Sequence, residues 1–347
     1  MSAVMERSLL LVTGAGRSGT STVAGALHHL GVHVPGPYLE ANPSNPRGFY
    51  ESRWSVEFHN QLLKRANVNI TDGRPEALQL VRRTADEAAE ARLVEWLTEV
   101  SAGQPTTLVK DPRTSWTLDL WGRAAQRVGL RLTFLVMLRH PAEVLGSRST
   151  HYFARNEWMG EAGFATKNLA GWVNALLNTE GQTRGGARAF VRYDDLLADW
   201  RTTLGRANAD LDLGLEIPEG RHPVDEFIDP ALSRHPLTWA EHEVPAELRD
   251  LAETVWKAAE RLADAHGHDD TAVEGLDGAR AQYAELYLAA RRLAFDATQA
   301  EVERARRKAA RDAARDAAHT PPPLSHDMHP FGRLTRFTRR VMRRFPV

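Results

Sequence analysis

Residues 14–21 read GAGRSGTS, three glycines and three hydroxyls gathered around a single guanidinium. They follow a short apolar run, Ser8 to Val12, and precede Thr22 to Leu30, whose apolar residues recur at helical spacing. A glycine-rich turn that leads from a strand into a helix points free backbone N–H groups at an anion, and the helix dipole adds to the attraction. Gly14, Gly16 and Gly19 let the backbone close around a phosphate. Thr20 and Ser21 offer hydroxyls, and Arg17 supplies the cation. The spacing from Gly14 to Gly19 imitates the loop GxxxxGK[ST], but Thr20 stands where that loop needs a lysine to reach the β- and γ-phosphates. The apolar run LTFLVML, 132–138, ends in Arg139 and not in an aspartate that would help hold Mg²⁺. Both departures count against a P-loop kinase of small molecules, which is the weaker enzyme reading.

Four further segments carry reactive side chains. RHPAEVLGS places Arg139 at a strand end and Ser147 eight residues later on the following helix, so both sit above the carboxyl edge of a sheet, where open α/β sheets bind ligands. Arg139 can fork onto phosphate oxygens. NPRGFYES, 45–52, contains Glu51; KDPR, 110–113, contains Lys110 directly after a strand; RYDDLL, 192–197, contains Tyr193 at a strand end.

With the phosphate loop, these segments resemble the sulfotransferase family, whose members use 3′-phosphoadenosine 5′-phosphosulfate (PAPS). RSGTS, 17–21, is similar to the family's 5′-phosphosulfate loop in the arginine-containing form of tyrosylprotein and many bacterial members. The resemblance spans residues 8–265 and implies an assignment for each segment. Gly16, Arg17, Ser18, Gly19, Thr20 and Ser21 would hold the 5′-phosphosulfate, Arg139 and Ser147 the 3′-phosphate, and Tyr193 the donor nucleotide. Lys110 and Arg17 would counter charge at the transferred sulfuryl group, and Glu51 would take the acceptor's proton. It implies PAPS as donor co-substrate and no metal. Glu40 is a second candidate base, and His59 and His151 are others, since some members use a histidine. The family often carries another basic residue shortly after the 3′-phosphate serine; Arg148 and His151 both qualify. Arg113 would hold an acidic acceptor or pair with Asp111. Arg234 would close over the nucleotide or remain a free loop charge.

The elements that must position these residues follow from hydrophobic patterning. Ser8–Val12, Thr106–Val109, Leu132–Leu138 and Ala189–Tyr193 are near-continuous apolar runs, the mark of parallel strands covered on both faces. Helical patterns lie near 53–67, 82–101, 115–128, 141–150, 166–183, 194–208 and 245–265, with a Pro-, Gly- and His-rich loop over 212–240. Alternating strands and helices predict an α/β fold, a P-loop-like three-layer domain with a central parallel sheet, followed by a long C-terminal helix and a basic tail. The expected boundaries are 1–268 for the PAPS-binding domain, 274–319 for a helical, coiled-coil-like arm and 320–347 for the tail. Leu276, Ala279, Tyr283, Leu286, Ala290, Leu293 and Ala297 form one stripe along the arm, which would dimerise the protein through 276–318 or pack on its own domain.

Composition bounds the function. The 347 residues include 44 basic and 45 acidic side chains and no cysteine, which excludes disulfides, thiolate metal sites and a cysteine nucleophile and fits a reducing cytoplasm. The 320–347 segment holds six arginines and Asp327, a charge of +5, so the remainder carries −1 − 5 = −6. An acidic body argues against nucleic acid as a partner. Phe331, Leu334, Phe337, Val341 and Phe345 alternate with the arginines, a pattern that fits 330–347 lying on an anionic membrane surface, or a disordered or self-docked tail. The expectation is a cytoplasmic enzyme, peripheral at the inner membrane face if the tail binds there. It would move a sulfuryl group to a hydroxyl or amine of a carbohydrate, lipid or small-metabolite acceptor. The rival outside enzymology is a catalytically silent, envelope-associated scaffold.

Overall fold

Every residue of the first strand, SLLLVTG, is buried, so both faces of the sheet at this point must be covered. The computed structural model describes residues 7–229, 231 and 238–319. Arg234 and the basic tail from 320 onward, including the membrane-binding segment expected at 330–347, lie outside the described residues. The chain runs β1 (Ser8–Gly14), α1 (Thr20–His29), α2 (Arg53–Ala66), α3 (Ala77–Arg82), α4 (Glu87–Val100) and β2 (Thr106–Lys110). A 3₁₀ turn, Pro112–Trp116, leads to α5 (Leu118–Val128), β3 (Arg131–Leu138), α6 (Pro141–Tyr152), α7 (Gly160–Thr183) and β4 (Ala187–Arg192). The chain continues through α8 (Tyr193–Ala198), α9 (Trp200–Leu211), α10 (Pro223–Phe227), α11 (Ala246–Asp264), α12 (Asp270–Leu293) and α13 (Phe295–His319).

The four strands form one parallel sheet in the order β2-β1-β3-β4. Alternation along the strands divides the core. Leu10 and Val12 of β1, with Leu135 and Met137 of β3, pack against α1, α8 and α9. Leu9 and Leu11 face the other way, onto α2, α4 and α5, while Val136, Leu138 and Phe190 on the same side meet α6, α7, α11 and the start of α12. The result is the expected three-layer α/β fold. Because all strands run the same way, Gly14, Lys110, Leu138 and Arg192 end at one edge.

The helices depart from the sequence expectation at their caps. The helix expected over 82–101 starts later, at Glu87, because the Asp86 carboxylate accepts the Ala89 N–H and caps α4 there. Asp199 does the same for α9, accepting from Thr202 N at 3.1 Å and splitting the helix expected over 194–208. Pro112 opens a 3₁₀ turn ahead of α5.

The described residues separate into two units that divide between Ala290 and Arg291. Within the first, Ala272, Leu276, Ala279 and Tyr283 of α12 are buried, and the Tyr283 hydroxyl donates to the carbonyls of Ala170 (3.1 Å) and Gly73. In the second, α13 is polar and exposed through Arg315 and carries an i,i+4 ion pair, Arg307–Glu303, at 3.2 Å. Among the described residues no helix is long and apolar enough to cross a membrane.

One buried charge ties three elements of the first unit. Glu180 of α7 has no exposed surface and accepts from Arg184 (2.6 and 2.8 Å) and from Arg188 of β4 (3.1 Å), with Arg280 of α12 at 3.8 Å. Removing one partner from such a cluster leaves an uncompensated charge in the interior. Glu180→Ala is therefore expected to cost about 3–5 kcal/mol of stability, measured by urea unfolding, whereas a loss under about 1 kcal/mol, the scale of a surface pair, would show that the cluster is not the tie described.

Candidate functional site

The phosphate loop is held in shape by close approaches that only glycine permits at two positions. Gly14 has φ +141, and a Cβ there would lie 2.6 Å from the Met137 carbonyl oxygen of the neighbouring strand. Gly19 has φ +88, and a Cβ would lie 2.1 Å from the Tyr193 ring. Between them Arg17 adopts φ +79, a left-handed conformation that costs a non-glycine residue about 1–3 kcal/mol and persists where surrounding contacts enforce it. Those contacts are visible. Arg17 Nε donates to Ser147 Oγ at 2.9 Å, Arg17 Nη1 donates to the Ser44 carbonyl at 3.2 Å, and its own carbonyl accepts from Arg139 Nη1 at 3.3 Å. The loop and the Arg139–Ser147 segment, far apart in sequence, are one assembly.

Arg139 is buried at the end of β3. Its Nε donates to Glu143 Oε2 at 3.1 Å, and its guanidinium lies 4.7 Å from the centroid of the Tyr193 ring. Its Nη2 is buried without a hydrogen-bond partner, and so is Ser18 Oγ. Unpaired buried donors are rare in folded proteins and each calls for an explanation. An anion between the loop and β3 would satisfy Arg139 Nη2, so the residues present fit a bound phosphate group. Burial lowers the Arg17 pKa and raises that of Tyr193.

Across the loop lies a buried pair. Lys110, the last residue of β2, donates from Nζ to Glu51 Oε1 at 2.6 Å and to Ser21 Oγ at 2.9 Å. Glu51 is 5% exposed, so although it stands just ahead of α2 it is not a solvated carboxylate. Arg113 Nη1 reaches Glu51 Oε2 at 3.5 Å and Asp111 Oδ1 at 2.8 Å. Burial opposes the Arg113 charge, but Asp111 and Glu51 together raise its pKa. Asn45 Nδ2 donates to Ser21 Oγ at 3.0 Å, a contact the sequence did not single out although Asn45 opens NPRGFYES.

The other candidate bases occupy different surroundings. Glu40 is exposed and paired with Arg53 at 2.7 Å. His59 is fully buried: its Nε2 accepts from Trp121 Nε1 at 2.9 Å, which leaves Nδ1 to donate to Asp111 Oδ2 at 2.8 Å. That pairing makes His59 a structural residue, and no sequence signal joins it to partners 52 and 62 residues away. Burial alone would raise the Asp111 pKa, but His59 and Arg113 hold it well below the usual carboxylate range. His151 lines the same cleft as Glu51.

That cleft has a volume of about 580 Å³, within the range of small-molecule sites. It is lined by Gly16, Arg17, Gly19, Thr20, Ser21, Glu51, Lys110, Arg139, Ser147 and Tyr193, so the structure brings the sequence candidates together apart from Ser18, buried beneath the loop. The lining also holds Arg47, Arg113, Arg148 and Lys167, the last not foreseen from sequence, and its only carboxylate among the described residues is Glu51. The arrangement suits an anionic ligand with one carboxylate beside it.

The known proteins that this chain is similar to are sulfotransferases. The model of the sulfotransferase family matches residues 10–216, more than half of the chain and the stretch that contains every residue named above from Gly14 to Tyr193. Two solved structures are similar to it. The sulfotransferase domain from the Synechococcus PCC 7002 olefin synthase is 17% identical, with 78% of this chain and 98% of that one covered at a TM-score of 0.39. The sulfotransferase domain from the curacin biosynthetic pathway is 15% identical, with 72% and 97% covered at a TM-score of 0.37. No curated protein sequence matches.

Asp111 generates a pH prediction. Its folded pKa lies below its unfolded value of about 3.9, so its contribution to stability is full above that pH and is lost as pH falls toward the folded pKa. Asp111→Asn is expected to lower stability at pH 7 by about 3–5 kcal/mol and to flatten the acid limb of stability below about pH 4. Urea unfolding from pH 2.5 to 7 checks both, and an acid limb as steep as that of the wild type would exclude Asp111 as its source.

Proposed function

The chain belongs to the sulfotransferase family, and we propose that it transfers a sulfuryl group from PAPS to a hydroxyl or amine of a carbohydrate, lipid or small-metabolite acceptor. The observation that carries this reading is the position of Lys110 Nζ, hydrogen-bonded at once to Ser21 of the phosphate loop and to the buried Glu51. One cation thus touches both the leaving-group side and the base side of the cleft.

The donor supplies the sulfuryl group and departs as adenosine 3′,5′-bisphosphate. The protein's own residues then divide the work. Arg17, the amides of residues 18–21 and the hydroxyls of Thr20 and Ser21 hold the 5′-phosphate, where negative charge builds as the bridging S–O bond breaks. Lys110, hydrogen-bonded to Ser21, counters that charge at the bridging or equatorial oxygens. Arg139, through its unpartnered Nη2, and Ser147 hold the 3′-phosphate. Tyr193, which packs against both Gly19 and the Arg139 guanidinium, bounds the nucleotide.

Glu51 takes the acceptor proton. A hydroxyl is far too weak an acid to ionise first, so its proton must move to a base as its oxygen attacks sulfur. The new S–O bond forms as the bridging bond breaks, and the proton ends on the Glu51 carboxylate. Glu51 sits within reach of Lys110 and Arg113, so it is held in place for that transfer. Positioning and electrostatics suffice for such an in-line displacement, as they do for phosphoryl transfer.

Two accompanying proposals concern the regions beyond the cleft: self-association through 276–318 and contact of 330–347 with an anionic membrane at the cytoplasmic face. What supports the first is the exposure of Leu288, Leu293, Phe295 and Val302 on α12 and α13; what supports the second is the arginine and apolar pattern of the tail.

The test is release of adenosine 3′,5′-bisphosphate from PAPS in the presence of a panel of sugar, lipid and phenolic acceptors, followed by chromatography. Acceptor-dependent release is expected, reduced about 10²–10⁴-fold in Glu51→Gln while affinity for the bisphosphate product stays near the wild-type value. Unchanged release in Glu51→Gln would remove it from the role of base.

A further inference from the structure

Pairing the cations of the cleft with their carboxylates leaves a remainder. Lys110 pairs with Glu51, Arg113 with Asp111 and Glu51, Arg139 with Glu143, and Arg47 with Asp229. Arg17 belongs to the phosphate loop. Arg148 and Lys167 make no ion pair with a carboxylate among the described residues, yet both line the cleft.

Their setting is built. Arg148, on α6, donates from Nε to Asn168 Oδ1 on α7, and its guanidinium lies 5.3 Å from the centroid of the Tyr152 ring. The Asn168 amide is itself fixed, its Nδ2 donating to the Phe164 carbonyl at 2.8 Å, so its oxygen is turned toward the arginine. Arg148 Nη1 approaches Gly16, where a Cβ would meet it at 3.4 Å. Lys167 Nζ donates to Thr71 Oγ1 at 3.1 Å. Burial lowers the Arg148 pKa to about 10, and burial together with the nearby Arg148 charge lowers that of Lys167. Both cations hydrogen-bond to neutral groups, and although the Asp72 carboxylate partly favours the Lys167 charge, burial and Arg148 outweigh it, so an anion between the two would stabilise them.

Resting on the donor reading above, we propose that Arg148 and Lys167 form a subsite for a negatively charged group on the acceptor, a carboxylate, phosphate or sulfate carried near the reacting hydroxyl or amine. The acceptor is then an anionic molecule, held by its charge at the α6–α7 wall while its nucleophile faces Glu51. Neutral sugars and alcohols would lack this anchor and would be poor acceptors.

The test uses the full chain saturated with adenosine 3′,5′-bisphosphate and titrated calorimetrically with inorganic phosphate, for the wild type, Lys167→Gln and Arg148→Gln. Thermal unfolding confirms that each variant is folded, and the two substitutions on different helices guard against failure of one. Phosphate is expected to bind the loaded wild type and to bind each variant about tenfold more weakly or worse, the scale of one lost charge-assisted hydrogen bond. Bisphosphate affinity is expected to stay within about twofold of wild type in Lys167→Gln, well under the tenfold that one such bond represents. Three results would overturn the subsite: no phosphate binding to the loaded wild type, phosphate binding unchanged in both variants, or a loss of bisphosphate affinity as large as the loss of phosphate affinity, which would assign the pair to the donor. Failure of the donor reading itself appears separately, as no bisphosphate binding by the wild type in the loading step.

Discussion

A carboxylate and an ammonium buried together set the geometry of this protein's cleft. Glu51 and Lys110 stand 2.6 Å apart with almost no exposed surface, and the cost of withdrawing two such charges from water is offset only if their remaining hydrogen-bonding positions are filled. Ser21 fills one from the phosphate loop, and Arg113, locked by Asp111, approaches another. The constraint propagates outward. Asp111 is fixed by His59, and His59 by Trp121 in the core of α5, so Glu51 is braced by a chain of partners that ends in the hydrophobic interior. The parallel sheet makes this convergence available, because the carboxyl ends of β1, β2 and β3 deliver the loop, Lys110 and Arg139 to one edge.

The same edge concentrates positive charge. A body that is acidic overall nevertheless lines one cleft with seven Arg and Lys side chains and a single described carboxylate. Segregation of this kind raises the local concentration of anions and selects against neutral ligands. Part of it is structural, since Arg17 and Arg139 clasp each other's segments through Ser147 and the Arg17 carbonyl. The strained backbone at Arg17 follows from that clasp, and the strain is stored where the ligand would bind.

Much of this was legible in the sequence. The apolar runs marked all four strands, and the glycine spacing, Arg139 to Ser147 and Lys110 after its strand marked the cleft, because each motif depends on local order along the chain. What was not legible depends on tertiary partners. His59 looked like one candidate base among several until Asp111 and Trp121, distant in sequence, were seen on its two nitrogens. Lys167 sits in a helical pattern with no motif around it, and only the packing of α7 brings it to the cleft wall. Asp86 and Asp199 were read through as helix interior, although aspartate is a strong N-cap; the apolar periodicity on either side hid the break. The stripe from Leu276 to Ala297 was uniform in sequence, whereas in the structure full burial ends with Tyr283, Leu286 is half-buried and Leu293 is exposed.

The most direct measurement is calorimetric titration with adenosine 3′,5′-bisphosphate in the absence of Mg²⁺, set beside ATP with Mg²⁺, on the wild type and on Arg139→Ala. Binding of the bisphosphate, weakened about tenfold or more in the variant through loss of charge-assisted hydrogen bonds, with ATP bound more weakly than the bisphosphate, is the expected result. Clear binding of ATP with Mg²⁺ and none of the bisphosphate would contradict a PAPS site and favour a kinase in its place.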